Sequence, residues 1–240
     1  MNKIALVTGG NSGIGYATAR LLKEKGYDVF ISGRHSDRLG QAADELGVES
    51  LLADMTNPED IGKLASHFSE SGLDFLVVSA GIPKTFPIAD LTVDDFSEIF
   101  NTNVQGPPLL IKELVTALEK RQGSISTVSS AITEIGRPNL YLYAATKGAV
   151  HAFVRNLSIE LAPKKICVNA VAPGVTDTPI FTKAGMSSEE IAEFKKVLEA
   201  DIPMGRLGNP EEIAHVIVAQ LESTYTTGSV WIVDGGMSAL

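Results

Sequence analysis

The chain has 240 residues, 44% hydrophobic and 20% charged, with a single cysteine and a formal net charge of −9. That composition supports a substantial buried core and excludes a disordered chain. An acidic balance without a basic stripe argues against a nucleic-acid partner, whose phosphates need neutralising. No apolar run approaches the roughly 20 residues that cross a bilayer, and no basic segment leading into a long apolar one marks a signal peptide. The lone Cys167 lies in the apolar run "ICVNAVAP" and reads as a structural thiol that forms no disulfide within the chain. The prediction is a cytoplasmic protein without membrane contact.

Short β-branched runs alternate with longer amphipathic ones from end to end. Ile4–Thr8, Asp28–Ser32, Glu49–Leu52, Phe75–Ser79, Ser124–Val128, Ile166–Val171 and Ser229–Val233 are predicted strands. Most are continuously apolar, as expected of strands buried on both faces of a parallel sheet. Asn57-Pro58 and Asn209-Pro210 each pair a capping side chain with proline at the first helical position. Thr92 with Asp95, and Ser187 with Glu190, have capping-box spacing. The alternation predicts an α/β fold, a doubly wound parallel sheet of about seven strands with helices on both faces. No linker, repeat or composition break divides residues 1–240, so one domain is expected. The irregular stretch at about 174–204, with Pro179 and Pro203, is either a lid over a ligand or a plain surface excursion.

The first strand runs into "TGGNSGIG", where Gly9, Gly13 and Gly15 follow a G-x-x-x-G-x-G pattern ahead of a helix rich in Ala and Leu. Glycines there let the backbone turn sharply and approach a pyrophosphate, and the helix aims its N–H groups and positive end at the charge. A strand before and a helix after distinguish this turn from an ordinary tight connection. Asn11, Ser12, Gly13, Ile14 and Gly15 are therefore candidate contacts to a dinucleotide. The second strand ends in "FISGRHS": Gly33 stands where an acid would hold the 2′-hydroxyl of NAD, and Arg34 offers a cation to a 2′-phosphate. NADP(H) is thus favoured over NAD(H). His35 and Ser36 are further candidate contacts, unless Ser36 caps the next helix. Asp54 is placed to accept from the adenine amino group, with Met55 packing nearby.

Further on, "YAATK" puts Tyr143 and Lys147 four residues apart, on one helix face. A phenol keeps its proton until pH ~10, and a neighbouring cation favours the phenolate. Taken alone, the pair is either a proton-transfer device or an accident of spacing. His67, His151 and His215 show no metal-like clustering and read as surface or helix-packing residues.

With these pieces in order, the sequence resembles the short-chain dehydrogenase/reductases over essentially its whole length. "TGGNSGIG" resembles their cofactor fingerprint, and "VSAG", with Ala80 and Gly81, stands where they usually carry Asn-Asn-Ala-Gly. Asn103 in "NTNVQG" matches a helix-embedded asparagine. Ser130 precedes Tyr143 by 13 positions, and Tyr143 with Lys147 completes Tyr-x-x-x-Lys. "VNAVAPG", with Pro173 and Gly174, and "TGSVWIVDGG" match the signatures of the last two strands. Two departures stand out. Ser79 replaces an asparagine that braces neighbouring strands, and Pro107-Pro108 falls inside an expected long helix, predicting a kink or restart.

The resemblance implies a Rossmann-like catalytic domain and a reversible reduction of a ketone or aldehyde by NADPH, without metal. Tyr143 would be the general acid, Ser130 the hydroxyl that polarises the carbonyl, and Lys147 the cation that lowers the phenol's pKa and bonds the nicotinamide ribose. Asn103 would hold a water linking Lys147 to solvent. It also implies that Thr176 and Thr178 bond the nicotinamide carboxamide or the cofactor phosphates, and that the chain forms a homo-oligomer, a dimer or tetramer. Those members that reduce 3-oxoacyl chains on a carrier protein present basic residues near the site, and Arg121 and Lys164 match in position. Other carbonyl substrates stay open, as does an NADP-binding sensor or scaffold without turnover.

Overall fold

The computed structural model describes residues 2–179 and 187–240. All the predicted strands form within two residues of their expected bounds: β1 (Ile4–Thr8), β2 (Asp28–Gly33), β3 (Glu49–Leu52), β4 (Phe75–Val78), β5 (Ser124–Val128), β6 (Cys167–Pro173) and β7 (Val230–Val233). They build one parallel seven-stranded sheet in the order β3-β2-β1-β4-β5-β6-β7. β1, β4, β5 and β6 are buried almost throughout while the edges β3 and β7 are not, so the continuously apolar runs belong to the centre of the sheet.

Helices α1 (Gly13–Glu24), α2 (Ser36–Leu46) and α8 (Pro210–Glu222) cover one face, where Leu22, Leu39 and Ile217 meet Val7 and Val77. Helices α3 (Pro58–Ser66), α5 (Gly106–Arg121) and α6 (Tyr141–Leu161) cover the other, where Leu64, Leu114 and Val154 pack on Leu6, Leu76 and Ile125. Truncating a fully buried leucine such as Leu114 to alanine costs about 2–5 kcal/mol. α4 (Val93–Phe100) precedes α5, and α7 (Ser188–Asp201) lies between β6 and α8.

The capping signals act as their chemistry demands. Asn57 accepts from the Glu59 amide and Thr92 from the Asp95 amide, while Glu212 reaches back to the amide of Asn209. α7 begins one residue after Ser187, as its spacing predicts. Ser36 does not cap α2: the helix starts on Ser36 itself with His35 at the cap position, and the Ser36 hydroxyl donates to Asp37.

The two prolines produce a specific break. Asn101–Gln105 is a π-helical turn, in which the Gly106 amide reaches back to the Asn101 carbonyl, and α5 restarts with Pro107 and Pro108 in its first turn. Proline is tolerated there because it falls in the first turn of the restarted helix, where the missing N–H costs only a bond back to the π turn and not one inside α5. The missing asparagine at Ser79 is offset from β1. The Thr8 hydroxyl accepts from the amides of Ser79 and Ala80, each at 3.2 Å, and donates to the Val77 carbonyl, so the ends of β1 and β4 stay joined.

After β3 the chain crosses back over the sheet to β4, leaving a crevice at the carboxyl ends of β1 and β4, the place where open α/β sheets take ligands. Of the expected lid at 174–204, residues 180–186 lie outside the described residues. Among the described residues, no helix is long and apolar enough to cross a membrane.

Candidate active site

The crevice is lined by the glycine turn between β1 and α1. Gly9 has φ +67°, and a Cβ on it would stand 3.0 Å from Ala80, so the turn and the β4 loop touch backbone to backbone. A Cβ on Gly15 would fall 2.4 Å from the Gly9 carbonyl. Only glycine permits that fold of the chain, and it leaves the α1 N-terminus open to an anion. Thr178 lies across the turn, its methyl 3.2 Å from where a Gly13 Cβ would be. Thr176 is buried, donates to the Gly174 carbonyl and bridges to Gly208, while the Gly174 amide donates to Val233. The β6 end is thereby fixed beside β7.

At the other end of the crevice, Asn11 reaches toward β2, with its Oδ1 3.2 Å from the place of a Gly33 Cβ. Arg34 is exposed, and so is Arg38, one turn further along α2; among the described residues neither makes an ion pair. Arg38 went unnoticed in the sequence, although its signal was there: a second cation four residues after Arg34, in the first turn of α2. Asp54 binds the Thr56 amide and hydroxyl through one carboxylate oxygen, each at 2.8 Å, and Met55 is buried against the start of α5. These residues fit a dinucleotide: a glycine cradle, a helix N-terminus and two unpaired cations at the ribose end.

The proposed chemistry gathers around the N-terminal turns of α6. Ser130 caps a short 3₁₀ turn after β5, its hydroxyl accepting from the Ile132 amide, and that hydroxyl lies close enough to the Tyr143 phenol to draw its pKa down. Burial pushes the phenol up to about 12, against the lowering influence of Ser130. Lys147 is only 6% exposed and donates to the Val128 carbonyl at 2.8 Å, its Nζ 5.5 Å from the centre of the Tyr143 ring. Burial brings this ammonium down to about 8. The sequence reading expects Lys147 to lower the phenol; burial raises it instead, and the group that works in the other direction is Ser130, not Lys147.

Asn103, placed by the π turn, is 2% exposed. Its Oδ1 accepts from the Ile82 amide, and its Nδ2 donates to the Ile82 carbonyl and to Thr146 Oγ1, which in turn donates to the Tyr143 carbonyl. Both Nδ2 hydrogens are therefore used, while Oδ1 accepts one bond and keeps one lone pair. Pro107 and Pro108 stand at i+4 and i+5 from Asn103 and have no N–H, so the Asn103 carbonyl lacks both its α-helical and its π-helical donor. Gly81 completes this corner: a Cβ there would stand 3.2 Å from Asn103 Oδ1 and 3.7 Å from Lys147 Nζ. Ile82 and Thr146 hold the corner together but carry no motif that singles them out in the sequence. Ser129 serves the fold, its hydroxyl bonding the Lys147 carbonyl.

Arg121 and Lys164 do not reach this site within one chain. They close the far ends of α5 and α6, and the 21 residues of α6 place Lys164 about 30 Å from Tyr143. Arg121 bonds the Ser71 carbonyl and faces Asp74, and Lys164 pairs with Glu119. Among the described residues no three His, Cys, Asp or Glu side chains stand together as a metal site.

A seven-stranded parallel sheet with a glycine turn at its switch point and a Ser-Tyr-Lys group beside it defines the class. The chain belongs to the short-chain dehydrogenase/reductase family of nicotinamide-dependent oxidoreductases. A family model described as "Enoyl-(Acyl carrier protein) reductase" matches residues 9–238. The chain is 36% identical to a mouse 3-oxoacyl-[acyl-carrier-protein] reductase, covering 99% of this chain and 98% of that one. It is 38% identical to a glucose 1-dehydrogenase of Gluconobacter oxydans, over 98% and 92% of the two. Among solved structures, an actinorhodin polyketide ketoreductase with NADPH superposes with a TM-score of 0.92 at 29% identity, over 100% of this chain and 98% of that one.

Proposed function

We propose that the protein is an NADPH-dependent reductase of a ketone or aldehyde carbonyl, working reversibly. The observation that carries this reading is the Tyr143 phenol with the Ser130 hydroxyl beside it and Lys147 beneath it, all at the crevice that holds the glycine turn. The bound nicotinamide supplies or accepts the hydride. Tyr143 gives its proton to the carbonyl oxygen as charge builds there, and Ser130 donates a hydrogen bond to the same oxygen. Lys147, held by Val128, lends its positive charge to the phenolate that Tyr143 becomes. The Asn103 carbonyl, freed by the two prolines, holds the water through which that proton is replaced. Asn11, Ser12, Gly13, Ile14 and Gly15 receive the pyrophosphate, with Thr176 and Thr178 closing over it. Arg34 and Arg38 favour the 2′-phosphate of NADP, and the stretch at 174–204 acts as the substrate lid. The lone thiol, Cys167, is in keeping with a cytoplasmic setting.

Two relatives of near-equal similarity point to different substrates, a 3-oxoacyl thioester and an aldose. The far position of Arg121 and Lys164 weakens carrier-protein docking within one chain, so the free 3-oxoacyl thioester is the preferred form. The deciding experiment follows NADPH oxidation by wild type and Tyr143→Phe over 3-oxoacyl thioesters, 3-oxo esters, simple ketones and aldehydes, with NADP-dependent aldose oxidation alongside. Wild type is expected to turn over at least one carbonyl. The phenylalanine variant is expected to lose activity by about 10²–10⁴, the worth of a positioned acid, while binding NADPH equally well. Equal NADPH binding by both with no turnover by either would leave a sensor.

A further inference from the structure

The buried group that this chemistry leaves unused is His151, two helical turns beyond Tyr143 and one beyond Lys147 on the same face of α6. The residue is 9% exposed, and its Nε2 is buried with no hydrogen-bond partner among the described residues. Its Nδ1 faces Glu134 Oε1 at 3.9 Å, too far for a neutral hydrogen bond and within reach of an ion pair. Glu134 is the residue on which the 3₁₀ turn capped by Ser130 ends.

Between the two lies a single proton. The Thr133 hydroxyl has two acceptors in range, the Ser130 carbonyl at 3.0 Å and Glu134 Oε1 at 3.1 Å, and one hydrogen to give. Whatever draws Glu134 away sends that hydrogen to Ser130. We propose that His151 is a positioning residue for Ser130, acting through Glu134 and Thr133, so that its charge state sets the turn carrying the Ser130 hydroxyl. A neutral imidazole leaves Glu134 to Thr133. An imidazolium takes Glu134 and alters the turn. Among the described residues, the charged groups bearing on the ring are Glu134 on the facing turn, with Lys147 and Arg155 on its own helix. Burial holds the imidazole below its ordinary range, Glu134 works in the other direction, and Arg155 and Lys147 lower it further. The neutral form therefore prevails at neutral pH.

The inference rests on the reductase reading for its consequence, and on none of it for its geometry. Side-chain NMR resolves His151 among the four histidines. In wild type, the backbone amides of Ala131–Glu134 are expected to shift with the midpoint of His151, and Glu134→Gln should move that midpoint to lower pH. Amides that ignore His151, or a midpoint unchanged by Glu134→Gln, would overturn the proposal. In parallel, NADPH oxidation with ethyl acetoacetate, or with whichever carbonyl wild type accepts, is followed from pH 5 to 8. Wild-type kcat should drop with His151 protonation by about five- to tenfold, the worth of one hydrogen bond, and His151→Gln should be flat over that limb with little change in KM. An acid limb that survives in His151→Gln counts against the proposal while leaving the reductase intact. NMR coupling without turnover of any carbonyl upholds the His151–Glu134 link and removes the reductase reading instead.

Discussion

Lys147 is an ammonium enclosed by the fold with one carbonyl for company, and its protonation has to appear in the stability of the protein. The folded state holds it near 8, against 10.5 for a free lysine. Between those values the unfolded chain binds the extra proton, so unfolding free energy rises with pH across that window. Lys147→Met lacks this titration. Denaturant titrations at pH 8 and pH 10 should show wild type gaining relative to Lys147→Met as pH rises; an unchanged difference would mean that the ammonium is solvated. Arg34 carries a second expectation at this scale. A charge-assisted bond to a phosphate is worth about 1.5–3 kcal/mol, so Arg34→Ala should weaken NADPH binding by about ten- to a hundredfold in a fluorescence titration and leave NADH nearly unchanged. Arg38→Ala should act in the same direction. Arg34 is legible because Gly33 marks the acid's place; Arg38 is legible only as a second cation four residues on, with nothing at its own position to mark a phosphate.

Elements were more legible than the contacts between them. The strands stand out because the central ones are buried on both faces, which leaves continuous apolar runs. Helix starts stand out because Asn57, Thr92 and Asn209 sit before them. What sequence pattern could not give was the form of the break at Pro107-Pro108, since a missing donor signals only that a helix cannot continue unchanged. The wide turn at Asn101–Gln105 resolves it, and in doing so it fixes both ends of the Asn103 amide on Ile82 and Thr146. The role of Thr8 at the end of β4, and that of His151, were hidden for the same reason: each depends on a partner about 20 to 70 positions away. The prolines can be tested as an element. Replacing both by alanine restores amides opposite the Asn103 carbonyl. Hydrogen exchange should find those new amides protected, and kcat should fall with NADPH affinity unchanged, because the carbonyl is then occupied within the helix. Unprotected amides with full activity would dissociate the π turn from turnover.

At the scale of the molecule, both edges of the sheet are exposed among the described residues, and β7 is the apolar one. Consecutive strand residues point to opposite faces; Val230 and Val233 pack on the two cores, yet Trp231 is 36% exposed and Ile232 44%, so each face of β7 also carries an exposed apolar side chain beside its free edge. Leu240, 93% exposed, follows close after it. The opposite edge, β3, is just as short but opens on Glu49, a charge that discourages strand-to-strand pairing. Ile159 on α6 and Val93 and Phe96 on α4 are further exposed apolar side chains on the helical flank. An apolar edge left open in a chain of net charge −9 is a surface suited to a second copy, since unpaired it would invite aggregation. Light scattering is expected to give the mass of a dimer or tetramer for wild type. Ile232→Lys, which places a cation on the bare strand without disturbing the crevice, should lower that mass and retain NADPH binding. A monomeric wild type would mean that β7 is tolerated open, and the homo-oligomer expected from the family resemblance would then not apply to this chain.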